Sequence, residues 1–241
     1  MRLKYDELVI EFDRVLRKKG VGEETAALAA RLFASNSLDG VASHGANRFP
    51  KIVELLEHGF IQPNTAPESI ASFGAFEQWD GNLGLGNVTA TRMMDRAIAL
   101  ARAYGIGCVA VRNTNHWLRG GTYGWQAAEA GCVGICWTNA IVSMAAWGAR
   151  EARLGNNPLV MAVPRKEGHV VVDTAMSQFS YGRMEQYRLR DEQLPYAGGY
   201  DEQGRLTTDP ATVERTWCAL PIGYWKGSGL SMLLDLMAAA L

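Results

Sequence analysis

Apolar residues mark out the first helix. Leu8, Val9, Phe12, Val15 and Leu16 fall on one helical face, and Gly20 stops the run. Residues 23–37 are alanine-rich and predict a second helix. Phe49-Pro50-Lys51 opens a third, with Pro50 suited to a first turn, and Gly59 ends it. Residues 62–67 then read as a linker. Beyond them the period shortens. Residues 69–73 and 76–80 predict a hairpin around Gly74, 88–104 a helix, 107–112 a buried strand, 123–130 a helix and 133–138 a strand. Residues 159–163 and 170–173 add strands. This alternation predicts an α/β core. Residues 193–204, rich in Pro, Gly and charge, read as a surface loop or hairpin, and Gly229 to Leu241 begins an apolar helix. The expected organisation is a helical segment over 1–66 followed by an α/β body over 67–241.

Composition adds exclusions more than assignments. The chain has 241 residues, 48% of them apolar and 20% charged, with a net charge of −1. That balance gives no general attraction to nucleic acid or to an anionic membrane. The N-terminus lacks the apolar core of a signal peptide, and the apolar stretch from Leu230 to Leu241 is broken by Asp235 and too short to span a bilayer. Of the four cysteines, Cys132 and Cys136 have the wrong spacing for a Cys-x-x-Cys pair. The expectation is a cytoplasmic protein with reduced thiols.

Two histidine motifs carry the candidate chemistry: Ser43-His44-Gly45-Ala46-Asn47-Arg48 and Asn115-His116-Trp117-Leu118-Arg119-Gly120-Gly121. Each sets an imidazole, which titrates near neutral pH, beside a guanidinium that can grip a carboxylate with paired donors. Together they suit chemistry on a small oxo- or hydroxy-acid. A single such histidine is more often a helix cap or a polar corner; two clusters in one chain shift the balance. His44 and Arg48 lie in the connection between two predicted helices, where they can face one cleft. His58 sits at a helix C-terminus, where a cation is favoured without any function. The four histidines are too scattered for a zinc site, so no metal is expected and a metal hydrolase is disfavoured.

Gly84-Leu85-Gly86-Asn87-Val88-Thr89 follows a predicted strand and opens a helix, in the manner of a dinucleotide-binding turn. Thr89 stands where the third glycine belongs, and the next strand ends in Arg112 rather than a ribose-binding acid. A Rossmann fold is therefore not expected, and the glycines are read as a tight turn into the helix. Other polar turns that fit a site are Thr138-Asn139, Gly155-Asn156-Asn157-Pro158, Asp173-Thr174-Ala175-Met176-Ser177 and Trp225-Lys226-Gly227-Ser228-Gly229. The last offers a lysine, an aromatic ring and first-turn amides to a dinucleotide. Each taken alone is adequately explained as loop structure.

Taken in order, several segments resemble the malate/L-lactate dehydrogenase family of the non-Rossmann type. They are Ser43-His44-Gly45 with Asn47-Arg48-Phe49-Pro50, Glu77-Gln78-Trp79-Asp80, Met93-Met94-Asp95-Arg96-Ala97, Asn115-His116-Trp117, Tyr123 to Glu129, Ile135 to Asn139, Phe179-Ser180-Tyr181-Gly182 and Tyr224 to Gly229. The resemblance covers essentially the whole chain. It implies an α/β fold of that family's own kind, with an N-terminal helical segment and a mixed-sheet core. It further implies a homodimeric reductase that uses NADH, or alternatively NADPH, on a small oxo-acid substrate. By the resemblance, His44 donates the proton to the substrate carbonyl, Arg48 and Ser43 hold the carboxylate end, and His116 lies near the reaction centre as the alternative acid–base residue. His169, Val170, Val171, Val172, Asp173, Thr174 and Ala175, with Trp225 and Lys226, map onto cofactor-binding segments.

Two departures stand against that pattern. Ala140 occupies a position where relatives commonly carry a serine, which removes one hydrogen bond. Chains of the family also run beyond residue 241, so a truncated member without activity is an alternative. A relative acting on another 2-oxo or 2-hydroxy acid, on ureidoglycolate or on a cyclic imino acid is a further one.

Overall fold

A computed structural model describes residues 3–241. The predicted helices form as α1 (Tyr5–Lys18), α2 (Glu23–Leu38) and α3 (Phe49–Glu57), and a single 3₁₀ turn, Ala42–His44, lies between the last two. Gly20 ends the first run in the left-handed conformation at φ +84°, which explains why a glycine stands there. Leu16, Ala26, Ala29, Ala30, Phe33, Ala34, Phe49, Ile52 and Ile61 form one core, in which the Phe12, Phe33 and Phe49 rings stack edge and face. The small alanines of α2 let its neighbours approach closely, and the aromatic rings fill the remaining space.

The hairpin is β1 (Glu68–Phe73) and β2 (Phe76–Asp80), turning at Gly74 with φ +66°. Helix α4 (Gly86–Tyr104) then crosses over to β3 (Cys108–Arg112), which pairs parallel to β2. Strand β3, at one edge of this sheet, is half-buried rather than buried. Helix α5 (Gly121–Glu129) comes next. The Glu77-to-Asp80 and Met93-to-Ala97 motifs meet here: Arg96 of α4 grips the buried Glu77 carboxylate of β2 with two bonds of 2.8 and 2.6 Å, and the Trp79 indole donates a third. The Arg96 guanidinium holds the Glu77 carboxyl below the usual carboxylate range.

Residues up to Val133 together with Pro164–His169 form one compact unit, and Gly134–Val163 with Val170–Leu241 form a second. The division expected at residue 66 is therefore not where compactness divides. Leu85, Val88 and Leu118 share a core with the three N-terminal helices, so the helical segment is continuous with α4 and the loop before α5.

In the second unit β4 (Gly134–Trp137), β7 (Leu159–Val163) and β8 (Val170–Thr174) form an antiparallel sheet in the order β4-β7-β8. Strands β5 (Val142–Ala145) and β6 (Ala152–Gly155) pair with each other. Helix α6 (Tyr181–Leu189) precedes the short hairpin β9 (Gly199–Tyr200) and β10 (Leu206–Thr207), and α7 (Pro210–Thr216) and α8 (Trp225–Ala240) complete the chain. The core of this unit is Met144, Met176, Met184, Leu194, Val213, Ala219 and Leu234. Buried Asn157 fastens α8 to the turn after β6: its amide donates to the Ser231 carbonyl and hydroxyl, and its oxygen accepts the Ala140 N–H at 2.8 Å. The Asn156-Asn157 turn is thus a structural clasp. Among the described residues no helix is long and apolar enough to cross a membrane, and no group of three or more His, Cys, Asp or Glu is placed to hold a metal ion.

Candidate active site

Both histidine motifs belong to the first unit, and it brings them face to face. The His44 and His116 ring centroids lie 5.8 Å apart, with planes tilted by 36°. His44 ends the 3₁₀ turn, which is pressed against α2. Gly45 can only be glycine there: a Cβ would stand 2.3 Å from Ser37 Oγ and 2.9 Å from the Phe33 carbonyl. Arg48 lies one turn on, at the start of α3, and the charge it carries is felt at the His116 ring. Arg48 is half-buried, and its guanidinium has no ion-pair partner among the described residues.

His116 sits in the loop between β3 and α5. The Asn115 side chain ties this loop to the turn before α4, donating to the Leu83 and Gly84 carbonyls at 2.8 and 3.1 Å. The first turn of α4 comes so close that a Cβ on Gly86 would stand 2.0 Å from the Asn115 carbonyl oxygen. The Gly84-Leu85-Gly86 turn therefore serves close packing under His116. Leu118 adopts φ +68°, a conformation that costs a side-chain-bearing residue about 1–2 kcal/mol. Its side chain is 2% exposed within the helical core, and burying a leucine contributes about 1.5–3 kcal/mol, which holds the turn in place. In this turn the Leu118 N–H points at His116 Nδ1, 2.9 Å away.

That bond fixes the His116 tautomer. An amide can only donate, so Nδ1 must accept and the ring proton sits on Nε2. Burial pushes the His116 pKa down to about 4, and the Arg48 guanidinium and the His44 ring push the same way. The residue as a whole is exposed at the loop surface, and the lowered pKa leaves the ring neutral at pH 7. His44 differs in kind. Its Nδ1 lies 3.0 Å from the Ser43 hydroxyl. A hydroxyl can donate to a neutral imidazole or accept from a protonated one, so His44 can change charge without losing its partner. Ser43 Oγ is thereby engaged with His44, a contact that orients the ring.

The guanidinium of the second motif is also committed. Arg119 pairs with Asp39 at the end of α2 and is not the free counterpart of Arg48 that the sequence suggested. Asn36, Asp39 and Thr122, which join the two motifs, carry no signal in the sequence; α2 reads simply as an alanine-rich helix.

The expected cofactor residues lie mainly in the second unit. Val170 to Thr174 form β8, and Ala175 comes directly after it. The segment after β8 meets the start of α8: Ile222 N–H donates to the Met176 carbonyl at 2.8 Å, and a Cβ on Gly227 would stand 2.8 Å from that same oxygen. Met176, one residue beyond the expected segment, is thus set against the chain leading into α8 and its first turn. The first-turn amides are not free as expected, since those of Lys226, Gly227 and Ser228 all donate to local carbonyls. What remains for a dinucleotide is chemically suitable: the exposed Lys226 ammonium, without an ion-pair partner among the described residues, and the exposed Tyr224 and Trp225 rings. Asp173 lies in one cross-strand row with Val160 and the buried Cys136, whose thiol is pushed up to about 12 by burial and by the Asp173 charge. His169 belongs to the first unit, where its ring packs 5.8 Å from Trp125 and its Nδ1 accepts the Arg165 N–H.

The family model for malate/L-lactate dehydrogenase matches residues 3–241. The chain belongs to the malate/L-lactate dehydrogenase family. It is 52% identical over all 241 residues to a 2,3-diketo-L-gulonate reductase of Escherichia coli O6:K15:H31 (strain 536), of which it covers 72%. A sulfolactate dehydrogenase from Methanocaldococcus jannaschii has the same fold, with a TM-score of 0.91 and 34% identity over 98% of this chain and 69% of that one. A malate dehydrogenase from Entamoeba histolytica gives a TM-score of 0.94 and 31% identity over 98% and 70%. As a member of this family the chain is an oxidoreductase of the dehydrogenase type, and its mixed α/β fold is the family's. A nicotinamide cofactor is implied with it.

Proposed function

We propose that the protein reduces the carbonyl of a small 2-oxo acid, with 2,3-diketo-L-gulonate the first substrate to try and NADH or NADPH as the reductant. One observation carries the reading: half-buried Arg48, without a carboxylate partner among the described residues, stands beside two imidazoles whose Nδ1 atoms meet partners of different character. Such a group seeks an anion, and a planar carboxylate matches its paired donors. The 52% identity to a reductase of 2,3-diketo-L-gulonate supports that substrate over the others.

Bound NAD(P)H supplies the hydride. The chain's own residues orient the substrate and manage charge. Arg48 fixes the carboxylate and thereby the direction of the carbonyl. Neutral His116 offers its Nε2–H to the carbonyl oxygen as negative charge grows there. Protonated His44 then gives up its proton to that oxygen, and the Ser43 hydroxyl turns from acceptor to donor as the imidazole becomes neutral. Lys226, with Tyr224 and Trp225, supplies charge and ring surface to the dinucleotide, and residues 170–175 of the same unit complete that contact. Dimerisation, which the resemblance implied, belongs to the same reading and is checked by size-exclusion chromatography.

The test is to follow NADH and NADPH oxidation, by the loss of the reduced cofactor's absorbance, with 2,3-diketo-L-gulonate, simple 2-oxo acids and an uncharged diketone. Turnover confined to carboxylate-bearing substrates is expected. Equal turnover of the uncharged diketone removes the basis for the Arg48 role, and reduction of simple 2-oxo acids alone shifts the substrate within the family.

A further inference from the structure

We propose that Asn36 is a positioning residue of the reduction: its amide holds the His44 turn and the start of α5 together and so sets the separation of the two imidazoles. The proposal rests on the roles of His44 and His116 in the proposed reduction.

Asn36 lies in the last turns of α2 and is 2% exposed. Its Nδ2 donates to the His44 carbonyl at 2.9 Å, and its Oδ1 accepts from Thr122 Oγ at 3.2 Å. The His44 carbonyl can only accept, so the orientation of the amide is fixed. Thr122 stands in the first turn of α5, directly after the loop that carries His116. One side chain therefore touches both catalytic segments, which are 72 residues apart in sequence, counted from His44 to His116. Its own backbone carbonyl accepts the Val41 N–H that leads into the His44 turn.

Packing alone does not call for an amide here. The other buried positions of α2 are Ala26, Ala29, Ala30, Phe33 and Ala34, all apolar. An apolar residue in place of Asn36 serves the same core and spares the chain the cost of burying polar atoms. The amide is needed for its two bonds, and those bonds end on the two histidine segments. The Asp39–Arg119 ion pair, one turn further along α2, joins the same helix to the same loop from the solvent side. The final turn of α2 thus grips both motifs at two points. A shift of about 1 Å in a reacting group costs about 10²-fold in rate, so small slippage here is visible in turnover.

The experiment compares Asn36→Leu, Thr122→Val and Thr122→Ser in the whole protein. It measures the melting temperature, kcat and KM with NADH and a 2-oxo acid, and the imidazole ¹⁵N shifts of His44 and His116 against pH. Asn36→Leu is expected to remain folded and to lose about 10- to 100-fold in kcat with little change in the KM for NADH. Its imidazole shifts and titration are expected to move. Thr122→Val is expected to follow it in part, and Thr122→Ser, which restores the hydroxyl, to behave as the parent. A folded Asn36→Leu with unchanged kcat, pH profile and imidazole shifts overturns the proposal. If Asn36→Leu does not fold, the threonine pair decides, and Thr122→Val indistinguishable from Thr122→Ser overturns it. If no oxo acid is turned over at all, the reductase reading fails, while the imidazole shifts still decide the positioning role: moved in Thr122→Val and restored in Thr122→Ser, they uphold it; unmoved, they overturn it.

Discussion

The imidazoles of His44 and His116 lie 5.8 Å apart, yet their Nδ1 atoms face partners of opposite character. Nδ1 of His116 receives a backbone N–H that can never accept, whereas Nδ1 of His44 meets a hydroxyl that can do either. The first partner penalises protonation and the second tolerates it. In the proposed reduction the two residues take separate tasks, hydrogen-bond donation for His116 and proton transfer for His44.

The depressed His116 pKa has a consequence for stability. The unfolded chain takes up a proton near the ordinary histidine value of about 6.5, while the folded chain resists it down to about 4. The contribution is therefore complete above about pH 6.5 and is lost as pH falls toward 4. Melting temperatures measured between pH 4 and 7 are expected to fall less steeply in His116→Gln than in the parent. Parallel curves for the two proteins contradict the assignment of a neutral ring.

Arg48 faces the substrate in this account, so Arg48→Lys keeps the charge and loses the paired geometry. A charge-assisted hydrogen bond contributes about 1.5–3 kcal/mol, which corresponds to about 10- to 100-fold in kcat/KM for carboxylate substrates. Activity on an uncharged diketone is expected to change far less. The ratio of the two, measured side by side, is the readout.

Gly86 is required by distance, since a Cβ there meets the backbone of Asn115 and His116, which cannot give way as a flexible side chain can. Gly86→Ala is expected to displace the His116 loop, to cost about 1–3 kcal/mol as overpacking does, and to lower turnover. Denaturant unfolding and steady-state kinetics check the two effects. A variant as stable and as active as the parent means that the loop is more compliant than its bonds suggest.

Glu77 and Arg96 offer a test away from the site. The Glu77 carboxyl is held below its usual range by Arg96, so its contribution is present above about pH 4.3 and is lost as pH falls below that. Arg96→Met leaves a buried carboxylate without its main partner, and a lower melting temperature at pH 7 is expected, with a smaller difference at pH 3.

Much of this was legible in the sequence, for reasons that differ from residue to residue. The first three helices, the hairpin at Gly74, α4 and the strands β7 and β8 follow from apolar periodicity and from glycines that end them. Strands β5 and β6 are four residues each and α7 only seven, too short for a period to register. His44, His116 and Arg48 stand out because histidine is scarce, four in the chain, and two of the four sit in short motifs with an arginine. The Asp39 partner of Arg119 has no signal in the sequence, because a motif shows neighbours in sequence and this aspartate lies 80 residues earlier. Asn36 was invisible for a related reason: a single amide in an alanine-rich helix has a partner only once the chain has folded.

The division of labour between the two histidines is tested most directly by the pH dependence of turnover in His44→Gln and His116→Gln. A proton donor must be protonated to act, so activity falls as pH rises through its pKa. His44→Gln is expected to lose about 10²–10⁴-fold in kcat and to retain a residual rate without that alkaline fall, while NADH binding is unchanged. His116→Gln is expected to turn over more slowly than the parent but to keep the alkaline fall. The opposite pattern, with the fall preserved in His44→Gln and abolished in His116→Gln, contradicts the assignment and makes His116 the proton donor.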